Sequence, residues 1–141
     1  MGNSAFVTAI PASEFESWRP KLDTHLASFC ERSGGSLEIE RLVSDIMAEG
    51  YQVWAVIDGN EVLACALTFL QDDAKKTCVI SHCSGRDYEQ WAGQLLATIR
   101  VWSHSLGSTK LEAVTRSGWE KVLRKFGMVK THVILELKEN G

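Results

Sequence analysis

No stretch of the 141-residue chain stays apolar over the ~20 residues that a bilayer-spanning helix requires. The opening Met1-Gly2-Asn3-Ser4 has neither the basic stretch nor the apolar core of a secretory signal, and Phe6 stands where a myristoylation signal needs Ser or Thr. A cytoplasmic protein with no membrane partner is therefore expected. An excess of one charge is missing too: 15 Lys and Arg interleave with 18 Asp and Glu, for a formal net charge of −3 and a pI near 5.8. That balance excludes the basic footprint of a nucleic-acid partner. The four cysteines, Cys30, Cys65, Cys78 and Cys83, form no C-x-x-C pair, and three lie in apolar runs where small reduced thiols pack well. His25, His82, His104 and His132 show no ligand spacing among themselves or with cysteine, so no metal site is expected. Repeats, linkers and low-complexity segments are also lacking.

What is present is material for one core. A content of 45% hydrophobic and 23% charged residues at this length predicts a single domain over residues 1–141. Phe6 to Ile10 reads as a strand stopped by Pro11, and Ser13 with Glu16 reads as a capping box that opens a helical region. Phe15, Trp18, Leu22, Leu26 and Phe29 recur at helical spacing, with Pro20 dividing the region or starting its longer half and Gly34-Gly35 ending it. Ile39, Leu42, Val43, Ile46 and Met47 share one face of a second helix.

Extended patterns follow. Tyr51 to Ile57 and Glu61 to Leu70 flank Asp58-Gly59-Asn60 as a hairpin, and Thr77 to Cys83 adds a third antiparallel strand. Trp91, Leu95, Ile99, Trp102 and Leu106 stripe a long helix, with Asp87 as its N-cap, Gln90 completing the box and Gly107 as its stop. Thr109 to Thr115 reads as a strand, Ser117 with Glu120 as the box of a short helix, and Met128 to Lys138 as a last strand. The order is β-α-α-β-β-β-α-β-α-β, an α/β (α+β) chain with a mixed, mostly antiparallel sheet flanked by helices.

That order resembles the acetyl-CoA-dependent N-acyltransferase (GNAT) superfamily and its three-layer fold. "WAGQLLATIRVWSHSLGSTKLEAVT", residues 91–115, is similar to the family's central helix and the strand after it, and "LRKFGM", residues 123–128, to its Y-E-K-L-G-F. The likeness covers the whole chain by topology and roughly the last ninety residues by wording. It implies acetyl-CoA between two splayed parallel strands, with the pyrophosphate on the loop entering the central helix, where orphan amides and the helix dipole attract an anion. That loop carries Q/R-x-x-G-x-G/A in the family. Here Asp87 and Gln90 stand at the Q/R and first Gly positions, and Ala92 alone fits.

Two readings of the loop follow. In the favoured one, Asp87 and Gln90 cap the helix themselves. In the other, a displaced loop of Cys83, Ser84, Gly85, Arg86 and Tyr88 binds the cofactor together with Ala92, Gly85 allowing close approach and Arg86 offering a phosphate fork. Leu123 occupies the position of the family's acidic tyrosine and cannot donate a proton. His82 has the intrinsic pKa of a base for an ammonium, although a lone His on a strand is more often structural. Cys83 as a nucleophile lacks a specified partner.

The resemblance thus implies an N-acetyltransferase acting on a small-molecule or protein amine. The alternative is a non-catalytic scaffold for binding or assembly, because "SGW" at residues 117–119 and the shortened tail also resemble GNAT-like proteins of tailed phages, some of them virion components. With only one strand expected after the last helix, a protein partner or a second copy would have to complete the acceptor side.

Overall fold

The computed structural model describes residues 5–115 and 117–138. A first strand, β1 (Phe6–Ile10), leads through a 3-10 turn (Ala12–Glu14) into α1 (Phe15–Arg32) and α2 (Ile39–Met47). Then come β2 (Gln52–Asp58), β3 (Glu61–Leu70), β4 (Cys78–Gly85), α3 (Tyr88–Ser105), β5 (Leu111–Ala113) and α4 (Ser117–Arg124). The sheet order is β1-β2-β3-β4-β5, antiparallel throughout except for the parallel pair β4–β5. The α+β class and the mostly antiparallel sheet flanked by helices are as the periodicities predict.

Both faces of the sheet are covered, which is why β2 and β3 read as nearly unbroken apolar runs. Trp54, Val56, Ala66 and Ile80 pack with Trp91, Leu95 and Ile99 of α3 on one face. Val53, Ala55, Cys65 and Leu67 pack with Phe15, Leu22, Leu26 and Phe29 of α1 and with Leu42 and Ile46 of α2 on the other. Inside the first cluster the Trp54 indole N–H donates to the Thr68 hydroxyl at 2.9 Å, so neither buried polar group is left open. The β2–β3 hairpin turns on Gly59-Asn60, with Gly59 at φ +62°, the left-handed value that the first turn residue needs.

Three local expectations change. Pro20 does not divide the first helix, which runs unbroken through it. The proline costs about 3 kcal/mol, whereas burying Phe15, Leu22, Leu26 and Phe29 on one continuous face contributes about 1.5–3 kcal/mol each, so packing wins. Ser13 makes no cap. It lies within the 3-10 turn that begins where Pro11 turns the chain, and Glu14 occupies the N-cap without a side-chain bond. The strand expected over Met128 to Lys138 is not formed: that segment belongs to no ladder of the described residues. Alternation alone does not supply a backbone partner. The Ser117 side chain, and with it the box expected there, lies outside the described residues.

Candidate functional site

β4 and β5 part company early. Their parallel ladder runs through Cys78–Leu111, Val79–Glu112 and Ile80–Ala113, and the Val114 N–H to Ile80 carbonyl bond, 3.0 Å, is the last between them among the described residues. β4 continues to Gly85 held only by β3, and the β3–β4 register slips where Leu67 faces His82 and Thr68 faces Ile80, leaving Ser81 as an extra residue. A bulge turns the strand's backbone by one position. Arg86 N–H then donates to the Leu63 carbonyl of β3, while the Cys83 carbonyl accepts instead from the Arg32 guanidinium at 3.0 Å.

The split between the strands opens a cavity of about 360 Å3. Its walls are Ile80, His82 and Cys83 of β4, Ala113 and Val114 of β5 with Thr115 just beyond, and Trp91, Ala92, Leu95 and Leu96 of α3. Trp119 and Leu123 of α4 close one side, and Phe29 and Arg32 at the end of α1 the other. The lining is chiefly apolar, which weakens competition from water for any polar group placed there.

His82 is the imidazole of this cavity, which it lines together with the Arg32 guanidinium and the Cys83 thiol. Its ring lies 5.2 Å from that of Phe29 and 5.9 Å from that of Tyr51, and burial holds its pKa below the usual 6.5, so the imidazole is neutral at pH 7. The Ser81 hydroxyl lies 3.3 Å from the Leu67 carbonyl and 2.8 Å from His82 Nδ1. A hydroxyl has one proton. Given to the Leu67 carbonyl, it leaves the oxygen to accept from Nδ1–H with the lone pair on Nε2; given to Nδ1, the shorter contact, it leaves the ring proton on Nε2. Burial pushes the Cys83 thiol up to about 12, so it is a protonated wall of the cavity rather than a nucleophile.

The structure brings His82, Cys83 and Ala92 together, and sends the other candidates elsewhere. Ser84 is buried, and its hydroxyl meets His25 Nδ1 at 3.3 Å while His25 Nε2 meets the Val62 carbonyl at 3.2 Å. Gly85 serves close packing of strands: a methyl there would lie 2.5 Å from Ala64 Cβ and 2.9 Å from the Leu63 carbonyl. Arg86 is ion-paired with Glu61, and Tyr88 packs its ring 5.2 Å from that of Trp119.

The capping box at α3 is also corrected. Asp87 has left-handed backbone angles, φ +57° and ψ +38°, and its side chain makes no capping bond, lying instead 3.8 Å from Arg86 Nε. The cause is one residue back and one turn ahead: the buried Trp91 indole N–H takes the Arg86 carbonyl at 2.6 Å and pulls the chain inward, and Asp is among the few residues that tolerate the resulting turn. Sequence reasoning missed Arg32, which lies on α1 and reaches the cavity only through tertiary approach, and no local pattern of its helix signals it.

No family model matches the sequence, and no curated protein does either. Solved structures do match. The aminoglycoside N-acetyltransferase AAC(6')-Iy, crystallised with CoA, superposes with a TM-score of 0.71 at 12% identity, over 100% of this chain and 98% of its own. An aminoglycoside acetyltransferase from an uncultured soil metagenome, in complex with sisomicin, gives 0.70 at 9% identity over 98% and 97%. An integron cassette protein from the mobile metagenome of V. cholerae gives 0.65 at 12% over 99% and 94%. The fold is thus the one seen in GNAT acetyltransferases.

Proposed function

We propose that this chain is a single-domain, acyl-CoA-dependent N-acyltransferase whose site is the split between β4 and β5, at residues 80–83 and 113–115. The observation that carries the reading is the coincidence of three features: two parallel strands that diverge, an apolar cavity of about 360 Å3 between them, and a half-buried neutral histidine in its wall. CoA accompanies AAC(6')-Iy in its structure, and the matched fold supports the same donor class here.

The residues fit the two ends of such a donor unequally. The apolar walls of Ile80, Leu95, Ala113 and Leu123 suit a pantetheine arm and a short acyl group, and the unpaired edge of β4 beyond Ile80 offers backbone groups to its amides. At the diphosphate end, Arg86 is tied to Glu61 while Asp87 and Glu89 add negative charge, so backbone N–H groups at the start of α3 would carry that contact. The donor supplies an activated thioester. In the tautomer whose Nδ1–H meets Ser81, His82 takes the proton of the incoming ammonium on Nε2, converting it to the nucleophilic amine. Trp91, Trp119 and Leu96 exclude water that would otherwise hydrolyse the thioester. Leu123 donates nothing, so the thiolate released when the C–S bond breaks takes its proton from solvent. The acceptor class is an amine, with amine-rich sugars such as the sisomicin of the soil enzyme first among candidates.

Thermal unfolding with and without millimolar acetyl-CoA is the test. Ligand at 100 times its Kd adds about 2.7 kcal/mol. The expected result is a raised Tm, thiol release with an aminoglycoside, polyamine or peptide amine, and a loss of about 10²–10⁴-fold in kcat for His82→Gln. No shift in Tm overturns the reading. A shift without turnover supports the second one, a non-catalytic binding or assembly scaffold such as the phage-like proteins, which Leu123 and the acidic start of α3 favour.

A further inference from the structure

Arg19, Arg41, Arg86 and Arg124 each meet a carboxylate, of Asp23, Asp45, Glu61 and Glu120 in turn. Arg32 meets none among the described residues, although it ends α1 in the wall of the cavity. A cation in the last turn of a helix ordinarily serves that helix's own carbonyls. Here the Ser33 N–H and hydroxyl already take the Cys30 carbonyl, and Arg32 Nη1 donates across to the Cys83 carbonyl of β4 at 3.0 Å. That bond uses one N–H of a planar fork and leaves the Nη2 and Nε edge for a bidentate oxyanion. Nothing in the wall offsets the charge, since no Asp or Glu lines the cavity among the described residues. The guanidinium and the imidazole are also neighbours. Cys83 follows His82 in β4, with Cα atoms ~3.8 Å apart, and the His82 ring packs on Phe29, which stands three residues before Arg32 on α1.

We propose that the amine taken by this cavity is a compact one that itself bears an oxyanion, a carboxylate or a phosphate, and that Arg32 is the residue that selects it by holding that oxyanion beside His82. The proposal rests on the acyltransferase reading for the fate of the amine, and on the wall alone for its charge. Fold likeness puts amine-rich sugars first; the charge of the wall puts zwitterionic amines ahead of them. A polyamine would bring several positive charges to a site that holds a guanidinium and no carboxylate, whereas an amino acid or an amino phosphate brings its own counter-charge. With the oxyanion on the free edge of the fork, the ammonium of the same small molecule falls within reach of the imidazole. A cavity of about 360 Å3 that must also take the end of the donor suits an acceptor of that size.

Matched pairs test this on the full chain: leucine and β-alanine against their amides, and phosphoethanolamine against ethanolamine, with thiol release from acetyl-CoA as the readout. The charged member of at least one pair is expected to lead in kcat/KM by about 10–100-fold, chiefly through KM, and the pair that leads says whether carboxylate or phosphate is the oxyanion. Arg32→Gln is expected to bring that ratio close to one, and Arg32→Lys, which keeps the charge without the fork, to retain part of it. Thermal unfolding without the donor reads binding apart from turnover: the charged amine raises Tm in the wild type and not in Arg32→Gln. A rise of that kind with no thiol release from any amine upholds the oxyanion site and refutes the acyltransferase. Thiol release as fast with the neutral members or with a polyamine overturns the proposal and leaves the acyltransferase standing. A preference that survives Arg32→Gln overturns it too, as does the absence of both turnover and a Tm shift with every charged amine.

Discussion

His82 and His25 both have pKa values held below 6.5, chiefly by burial, and His25 also faces the positive charges of Arg86 and Arg32. In the unfolded chain each binds a proton at about 6.5, so as pH falls below that value the unfolded state protonates first and the folded state is destabilised. Stability is therefore expected to be full above pH 6.5 and to decline as pH drops towards the depressed folded values. Urea midpoints at pH 7.5 and 5.5 check this, and the double variant His25→Gln/His82→Gln should flatten the difference. A midpoint that rises on acidification would contradict it. His82 was visible in the sequence as a titratable residue near a strand end. Arg32 was not, since it meets Cys83 across 51 residues of chain. Distances of that kind are set by how α1 lies over the sheet, which no local pattern records.

Among the elements, the start of α3 offers the sharpest contrast between pattern and structure. An Asp followed by a Gln three residues later satisfies the capping-box template, yet the conformation at Asp87 is dictated by Trp91 holding the Arg86 carbonyl. Asp87→Gly should consequently cost nothing and gain up to about 1 kcal/mol, because glycine adopts φ +57° without strain and no capping bond is lost. Chemical denaturation measures this; a true N-cap would instead show little benefit from Gly and a loss of about 0.5–2 kcal/mol with Ala. Elements whose signal is the burial of a face were legible. β3 runs from Glu61 to Leu70 as its apolar run predicts, and α3 begins and ends close to its expected limits. Those whose signal was short or lacked a partner were not: β5 shrinks to three residues, and Met128 to Lys138 keeps its alternation without a ladder.

At the scale of the whole molecule, one sheet carries two cores, with Ile46 in the cluster under α1 and α2 and Ile99 in the cluster under α3. If residues 5–138 form one cooperative unit, Ile46→Val and Ile99→Val, each removing a buried methyl, should lower the same transition by about 0.5–1.5 kcal/mol. Their effects should add within about 0.5 kcal/mol, because the two sites lie on opposite faces of the sheet. A calorimetric trace that splits in two with either variant would argue against a single domain. The three-pair ladder between β4 and β5 also bears on the order of assembly. Strands β1 to β4 form a meander joined by short connections, apart from the two helices between β1 and β2, and can pair as they leave the ribosome. The far wall of the cavity must wait for all eighteen residues of α3 and then dock by three pairs. A chain interrupted within α3 would have its meander and one helical layer, and no cavity at all.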